Sequence, residues 1–488
     1  MNRKFATNLV FLLLLNFLVK PFYILGIDAE IQNRVGAEEY GLYFSLLGFT
    51  FIFNIFLDVG IVNFNTRTIS QQPFLIQKYF SKIVSLRVLL GLVYAVFIIV
   101  LGAIIGYNQS EIYLLIWLIA NQVLAAFTLY FRSNLAGLLL FKYDSIVSIL
   151  DRFLLIIICS ILLWGNLTTE PFQIYWFVYA QTFAYAVSAI SAFLFLMSKQ
   201  TLSRINWDKL FSLAIIRQSA PYALLILLMT FYYRADSVML ERMLIDGKSQ
   251  AGIYANGFRF FEAANNIAFL FASLLLPLFA NLLKKKMSVA PLVKLSGSIL
   301  IPGAILVAIT CVFYSHELIG ARYLNSTFQS GAVFSLLMIC FVFIASTYIF
   351  GTLLTANGNL KTLNKIAFAG VILNIVLNLI LIPTYKAYGA ALASLVTQGI
   401  TAVAQIILCK SYFKLNINYS LLVRGVLFTL LTISLGLILS SSYFEFVPWF
   451  FSVFILFGSG TIFLFVFQLI EIKNVKKLFQ KPEKNSYI

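Results

Sequence analysis

The sequence predicts an all-α polytopic membrane protein of about 14 transmembrane helices: two six-helix lobes plus two C-terminal helices. Three observations predict it. Of 488 residues, 61% are hydrophobic and 11% charged, at a mean hydropathy of +0.94, whereas a soluble domain carries about 25% charged residues. The apolar residues fall into stretches long enough to span a bilayer, which takes about 20 residues each. The cations between those stretches are distributed asymmetrically. No polar stretch reaches the roughly 50 residues of a soluble catalytic domain, so whatever the chain does happens in or at the bilayer.

Spans are expected at about 9–27, 40–62, 83–106, 111–131, 145–165, 171–197, 218–240, 251–282, 294–315, 328–354, 365–383, 388–410, 420–441 and 448–471. The basic start, Arg3 and Lys4, resembles that of a signal peptide. The apolar stretch behind it runs through Lys20 and Pro21 without a small-residue cleavage site, and reads as a retained first helix.

With the N-terminus inside, 27 of the 35 Lys and Arg residues fall on one side. They include Arg67, Lys78, Lys82 and Arg87 after the second span, Arg132, Lys142 and Arg152 after the fourth, and the C-terminal tail. The other side holds Arg34, Arg242, Lys248, Arg322 and Lys386. This positive-inside bias places both termini on the cytoplasmic side of the membrane. It also accounts for the formal charge of +17 without a nucleic-acid partner.

Cys159, Cys311, Cys340 and Cys409 lie far apart in apolar stretches, as small buried hydrophobes do. A single histidine, His316, excludes multi-histidine metal ligation. Neither a metal nor a cofactor is expected.

The chain repeats itself. Gly36-Ala37-Glu38-Glu39-Tyr40-Gly41-Leu42-Tyr43 and Gly247-Lys248-Ser249-Gln250-Ala251-Gly252-Ile253-Tyr254 share G-x4-G-x-Y, offset by 211 residues and each at the external end of a predicted hairpin. Six intervening spans, an even number, make this a parallel repeat. The expected organisation is an N-terminal lobe over 1–200, a C-terminal lobe over 201–411, and two further spans with a basic tail over 412–488, with the ligand site between lobes. Gly36, Gly41, Gly247 and Gly252 are the gate and turn candidates.

A charge at the bilayer centre costs on the order of 2.5–3.5 kcal/mol on insertion scales, and usually faces a water-filled cavity. Lys20, Asp58, Arg234, Asp236, Arg259 and Glu262 fall within or at the ends of predicted spans and are the substrate-cavity candidates. Pro21 would open the first helix beside Lys20. Arg259 and Glu262, three apart, share a helical face and can pair. The alternative reading of these charges is as helix-end snorkellers or structural ion pairs.

Asp28-Ala29-Glu30 falls in the predicted first external loop. Its acidic spacing matches the metal-holding pair of membrane glycosyltransferases, but the large external loop of such enzymes is missing; otherwise it is solvated loop charge. The chain carries no GxSxG, no P-loop and no Cys–His pair, so neither a nucleophilic hydrolase nor a built-in ATPase is expected, and no catalytic residue is assigned. Protonation of Asp58, Asp236 or Glu262 is a candidate coupling step, since burial raises a carboxylate's pKa.

Leu373-Asn374-Ile375-Val376-Leu377-Asn378-Leu379-Ile380-Leu381-Ile382-Pro383 with Tyr388-Gly389-Ala390-Ala391-Leu392-Ala393-Ser394 resembles the eleventh and twelfth spans of Wzx-type oligosaccharide flippases, in the superfamily of MurJ and the multidrug and toxin extrusion transporters. The stretch from Arg234-Ala235-Asp236 through Gly252-Ile253-Tyr254 to Leu276-Pro277-Leu278 is similar to the seventh and eighth spans, and Tyr40-Gly41-Leu42-Tyr43 with Asp58-Val59-Gly60-Ile61 to the second. The resemblance covers about residues 1–410. It implies two six-helix bundles that carry polyprenyl-pyrophosphate-linked oligosaccharide from the cytoplasmic to the outer leaflet for O-antigen, capsule or exopolysaccharide synthesis. The implied partners are the lipid bilayer and a polysaccharide polymerase with its chain-length machinery. By location, Lys20, Arg234 and Arg259 would meet the pyrophosphate or acidic sugars. Drug-exporting members often rely on an acid in the first span, and residues 9–25 contain none.

The physics agrees with that substrate, because sugar hydroxyls need a polar, water-lined path while the lipid tail stays in hydrocarbon. Two alternatives stand beside it. A membrane glycan polymerase or glycosyltransferase would need a long, charged external loop, for which Arg322 in 316–327 is the one candidate. A small-molecule exporter of the same fold would need no lipid carrier.

Overall fold

A computed structural model describes residues 19–138, 140–165, 170–198, 207–324, 326–415, 419–441 and 447–470. The predicted start of the first span, with Arg3 and Lys4, and the basic tail beyond 470 lie outside the described residues. The fold is all-α, with no strand among the described residues.

The helices are α1 (Ala29–Ile52), α2 (Ile55–Asp58), α3 (Ile61–Gln71), α4 (Leu75–Ile105), α5 (Gln109–Gly137), α6 (Phe141–Trp164), α7 (Ile174–Met197) and α8 (Lys209–Met243). They continue with α9 (Gly247–Lys284), α10 (Ala290–Phe313), α11 (Ser315–Arg322), α12 (Phe328–Ala356), α13 (Leu360–Phe413), α14 (Tyr419–Leu439) and α15 (Trp449–Val466). Ten helices among the described residues are long and apolar enough to cross a membrane. One of these, α13, contains both predicted spans 365–383 and 388–410; its backbone leaves helical geometry at Lys386, three residues after Pro383.

Helix α4 illustrates why such helices face hydrocarbon. Val88, Leu92, Val96, Val100 and Ile104, spaced four apart, are exposed, while Ile83, Leu86, Tyr94 and Ile98 on the other side are buried. An apolar stripe turned outward on a packed helix has no stable place in water.

Two predicted boundaries are corrected. The first helix does not end near residue 27. A π-helical turn, Tyr23–Asp28, follows Pro21 and runs directly into α1. The break comes at Gly36, whose φ of 84° and ψ of 170° suit glycine. The second span does not run unbroken to 62. Helix α1 stops at Ile52, and Val59 and Gly60 turn through left-handed conformations before α3.

The chain packs as two compact units. The first takes the described residues up to Arg259 together with 322–324 and 367–390, and the second takes the remainder. In the first, α1 packs on α5 and α8, and α7 on α5 and α6. Ile76, Phe80, Ile83, Leu86, Tyr130 and Leu135 form an apolar core there. In the second, α10 packs on α12, α14 and α15, with Leu306, Phe428 and Leu464 at the centre.

Candidate functional site

Of the candidate side chains, Lys20, Asp58, Arg234, Asp236 and Arg259 lie in the first unit and Glu262 in the second, and both copies of the repeat lie in the first. The two G-x4-G-x-Y segments lie against each other. A Cβ on Gly41 would overlap the Lys248 carbonyl oxygen, and one on Gly252 would overlap that of Ala37. The second glycine of each copy is therefore the contact point of the two hairpins. Gly247 opens α9 directly against the carbonyls of Leu240 and Glu241.

The last residue of each motif is a buried tyrosine. Tyr43 accepts a hydrogen bond from Gln181 Nε2 at 2.8 Å, and Tyr254 donates to Asp236 Oδ2 at 3.0 Å. Asp236 is fully buried. Its Oδ1 also accepts from Asn374 Nδ2 at 3.1 Å and Asn378 Nδ2 at 2.7 Å. These two amides, four apart on α13, were quoted above only as part of the apolar motif. Their i, i+4 spacing on one helical face was the available signal.

Asp28 overturns a prediction. Neither a solvated loop charge nor an exposed acid of a glycosyltransferase pair, it is 1% exposed and lies in the helix. Its Oδ2 accepts from the Tyr40 hydroxyl at 2.5 Å and meets Arg259 Nε at 2.6 Å. Arg259 Nε also donates to the Tyr40 hydroxyl at 2.8 Å, and its guanidinium lies over the Phe44 ring at 5.2 Å. The first helix therefore does hold an acid, and the absence of one in residues 9–25 ceases to weigh against the drug-exporting branch.

The other predicted site residues fall as follows. Arg234 is buried between the rings of Phe51 and Phe258, 4.9 Å from each centroid. Phe258 makes an edge contact with Phe44 at 5.4 Å, so one aromatic pair separates Arg234 from Arg259. Lys20 lies in the helix ahead of the π-turn, within electrostatic reach of Arg132, Asp151 and Arg152. Glu262 lies one turn beyond Arg259 on α9.

Asp58 has a structural task. It accepts from the Gly60 and Val62 backbone N–H groups, capping the start of α3, and pairs with the buried Arg87. Arg87 and Arg152, predicted as cytoplasmic loop cations, lie inside α4 and α6. Both fall inside the predicted spans 83–106 and 145–165, but counting them with the loop cations kept them out of the cavity candidates.

The five cations assigned above to the external side are all ion-paired at the motif end of this unit. Arg34 and Arg322 meet Glu30, Arg242 and Lys248 meet Glu111, and Lys386 meets Asp246 at 2.8 Å. Arg322, the polymerase candidate, also spends its guanidinium on the Leu25 and Gly26 carbonyls of the π-turn. In the turn between α8 and α9, the Lys386 ammonium holds the Asp246 carboxyl below its ordinary range.

No group of three His, Cys, Asp or Glu side chains suited to a metal occurs among the described residues. The arrangement can do two things chemically. It holds charge inside an apolar helical body, and it joins two hairpins at a glycine contact.

A family model described as "Polysaccharide biosynthesis protein" matches residues 5–283. An uncharacterized membrane protein of Methanocaldococcus jannaschii, MJ1375, is 24% identical over 386 residues, covering 74% of this chain and 88% of its own. Among solved structures, the lipid II flippase MurJ in an inward closed conformation is similar at a TM-score of 0.71 and 13% identity, covering 97% of this chain and 100% of that one. An inward-facing multidrug resistance MATE family transporter of the MOP superfamily is similar at a TM-score of 0.56 and 14% identity, covering 83% and 94%.

Proposed function

Since the chain belongs to the polysaccharide biosynthesis protein family, and its fold is that of MurJ and the MATE transporters, we propose that it is a flippase. It carries polyprenyl-pyrophosphate-linked oligosaccharide repeat units from the cytoplasmic to the outer leaflet of the bacterial inner membrane, for O-antigen, capsule or exopolysaccharide synthesis. It is a transporter rather than an enzyme, and it hands its product to a polysaccharide polymerase.

The observation that carries this reading is the buried Asp28–Tyr40–Arg259 cluster in helices with apolar outer faces. A charged arginine at that depth is retained against a cost of several kcal/mol, and such residues usually mark a ligand pathway. Lys20, Arg234 and Arg259 are the substrate cations on this reading. The lobes, 1–200 and 201–411, alternate access by rocking. The hairpin contact at Gly41 and Gly252 is the outer gate.

A second reading, a small-molecule exporter of the same superfamily, is favoured by Asp28, an acid within the first helix. Deletion of the gene followed by lipid analysis separates the two. A flippase deletion accumulates lipid-linked oligosaccharide on the cytoplasmic face, whereas an exporter deletion leaves that pool unchanged and sensitises cells to the exported compound. The proposed topology has its own check: cysteine substitutions at Lys248 and Lys285 should label from outside and inside respectively, and the reverse pattern at either site contradicts the orientation.

A further inference from the structure

Arg152 lies eleven residues into α6, about 16 Å along a helix rising 1.5 Å per residue, which is deep for a cation. Its guanidinium lies over two rings, Tyr23 at 4.7 Å and Tyr185 at 5.7 Å, and Nη1 donates to the Tyr185 hydroxyl at 3.1 Å. The nearest carboxylate oxygen, on the adjacent Asp151, stands 3.9 Å from Nε, beyond hydrogen-bond length. The side chain is still 27% exposed, so a ligand can reach it.

Lys20 brings a second positive charge to the same place, and no hydrogen bond or ion pair ties it to another described residue. The third cation nearby, Arg132, is matched by Asp144 at 2.7 Å. Two cations thus face one loosely held carboxylate. The contrast with Arg259 is chemical: that guanidinium already holds a carboxylate at 2.6 Å, so an incoming anion there meets the charge of Asp28. Tyr185 lies within electrostatic reach of both arginines, and Tyr23 of both Arg152 and Asp28, so tyrosines link the two places.

We propose that Lys20 and Arg152 form a second anion subsite, which takes the diphosphate of a prenyl-linked substrate while Arg259 stays engaged with Asp28. The proposal rests on the flippase reading for its ligand. Rings over the guanidinium leave its in-plane N–H edge for oxyanions, the geometry in which arginine grips phosphate, and the lysine supplies a point charge beside it.

The test is equilibrium binding of farnesyl diphosphate, and separately of inorganic pyrophosphate, to the full chain in nanodiscs. Arg152→Gln and Lys20→Gln should each weaken farnesyl diphosphate about tenfold, the loss of one charge-assisted contact. Asp151→Asn should tighten it several-fold, because it removes the one opposing charge, and a merely structural role predicts no such gain. Arg259→Gln should cost less than Arg152→Gln. If inorganic pyrophosphate competes with the prenyl compound, the phosphates alone are recognised; if the prenyl form alone binds with this variant pattern, the ligand is the lipid headgroup. Both outcomes support the subsite.

Should Arg152→Gln misfold, the Asp151→Asn gain and the Lys20→Gln loss still decide. Wild type that binds neither probe, or Asp151→Asn and Lys20→Gln that bind as wild type does, overturns the subsite. That result leaves the lipid accumulation in a deletion strain untouched, so the two readings fail separately.

Discussion

The two copies of the repeat use the same glycine and tyrosine positions, but their tyrosines meet different partners. In the second copy, Tyr254 joins Asn374 and Asn378 around Asp236. In the first, Tyr43 engages the amide of Gln181, and a tyrosine three residues earlier, Tyr40, joins Asp28 to Arg259. The hairpin repeat is thus a scaffold, and what each half can bind is decided by residues outside the repeated positions.

The comparison breaks most visibly where the copies touch. Replacing Gly41 or Gly252 with leucine forces a side chain into the facing backbone. The expected outcome is near-complete loss of export, with lipid-linked sugar accumulating on the cytoplasmic face of cells that still hold folded protein. Normal export by either variant would remove the hairpin contact from the gate.

The next effect sharpens the difference between the acids. Asp28→Asn removes the carboxylate that meets Arg259 at 2.6 Å, and removing one partner of a buried pair costs about 3–5 kcal/mol. Asn378→Leu removes one donor from Asp236 and should cost about 1–3 kcal/mol. Thermal melting in detergent should rank them in that order. A joint Asp28→Leu, Arg259→Met variant should recover most of the melting temperature but not transport, whereas full recovery of both would make the pair purely structural.

Much of this architecture can be read from the sequence, because spans are long apolar runs and the repeat copies share a motif. What escapes is the polar stretch Asp28–Arg34. It reads as a loop because its partners lie far along the chain: Gln32 donates to the Gly252 carbonyl, Asn33 to that of Arg322, and Asp28 meets Arg259. Polar side chains in a buried helix look like loop residues until those partners are known. Arg152 was hidden for the same reason, its neighbours being the rings of Tyr23 and Tyr185.

The smallest effect concerns the Lys386–Asp246 ion pair. Asp246 titrates below its ordinary range beside Lys386, so the pair contributes stability above the ordinary carboxylate pKa and loses it as pH falls through the lowered folded value. Both side chains are more than 40% exposed, and screening keeps the contribution under about 1 kcal/mol. The melting difference between wild type and Lys386→Gln should therefore be small at neutral pH and vanish as the pH falls below the lowered Asp246 pKa. A difference that grows on acidification contradicts this assignment.

The most direct test of the account is transport by the purified chain. Proteoliposomes carrying a polyprenyl-diphosphate-linked oligosaccharide, with one leaflet's sugars accessible to an added glycosidase, report how fast the protected pool becomes accessible. The account predicts rapid exposure with wild type and none above protein-free vesicles with Arg259→Gln. Wild-type vesicles that protect the inner pool as well as empty ones do, under imposed proton and sodium gradients alike, would contradict it.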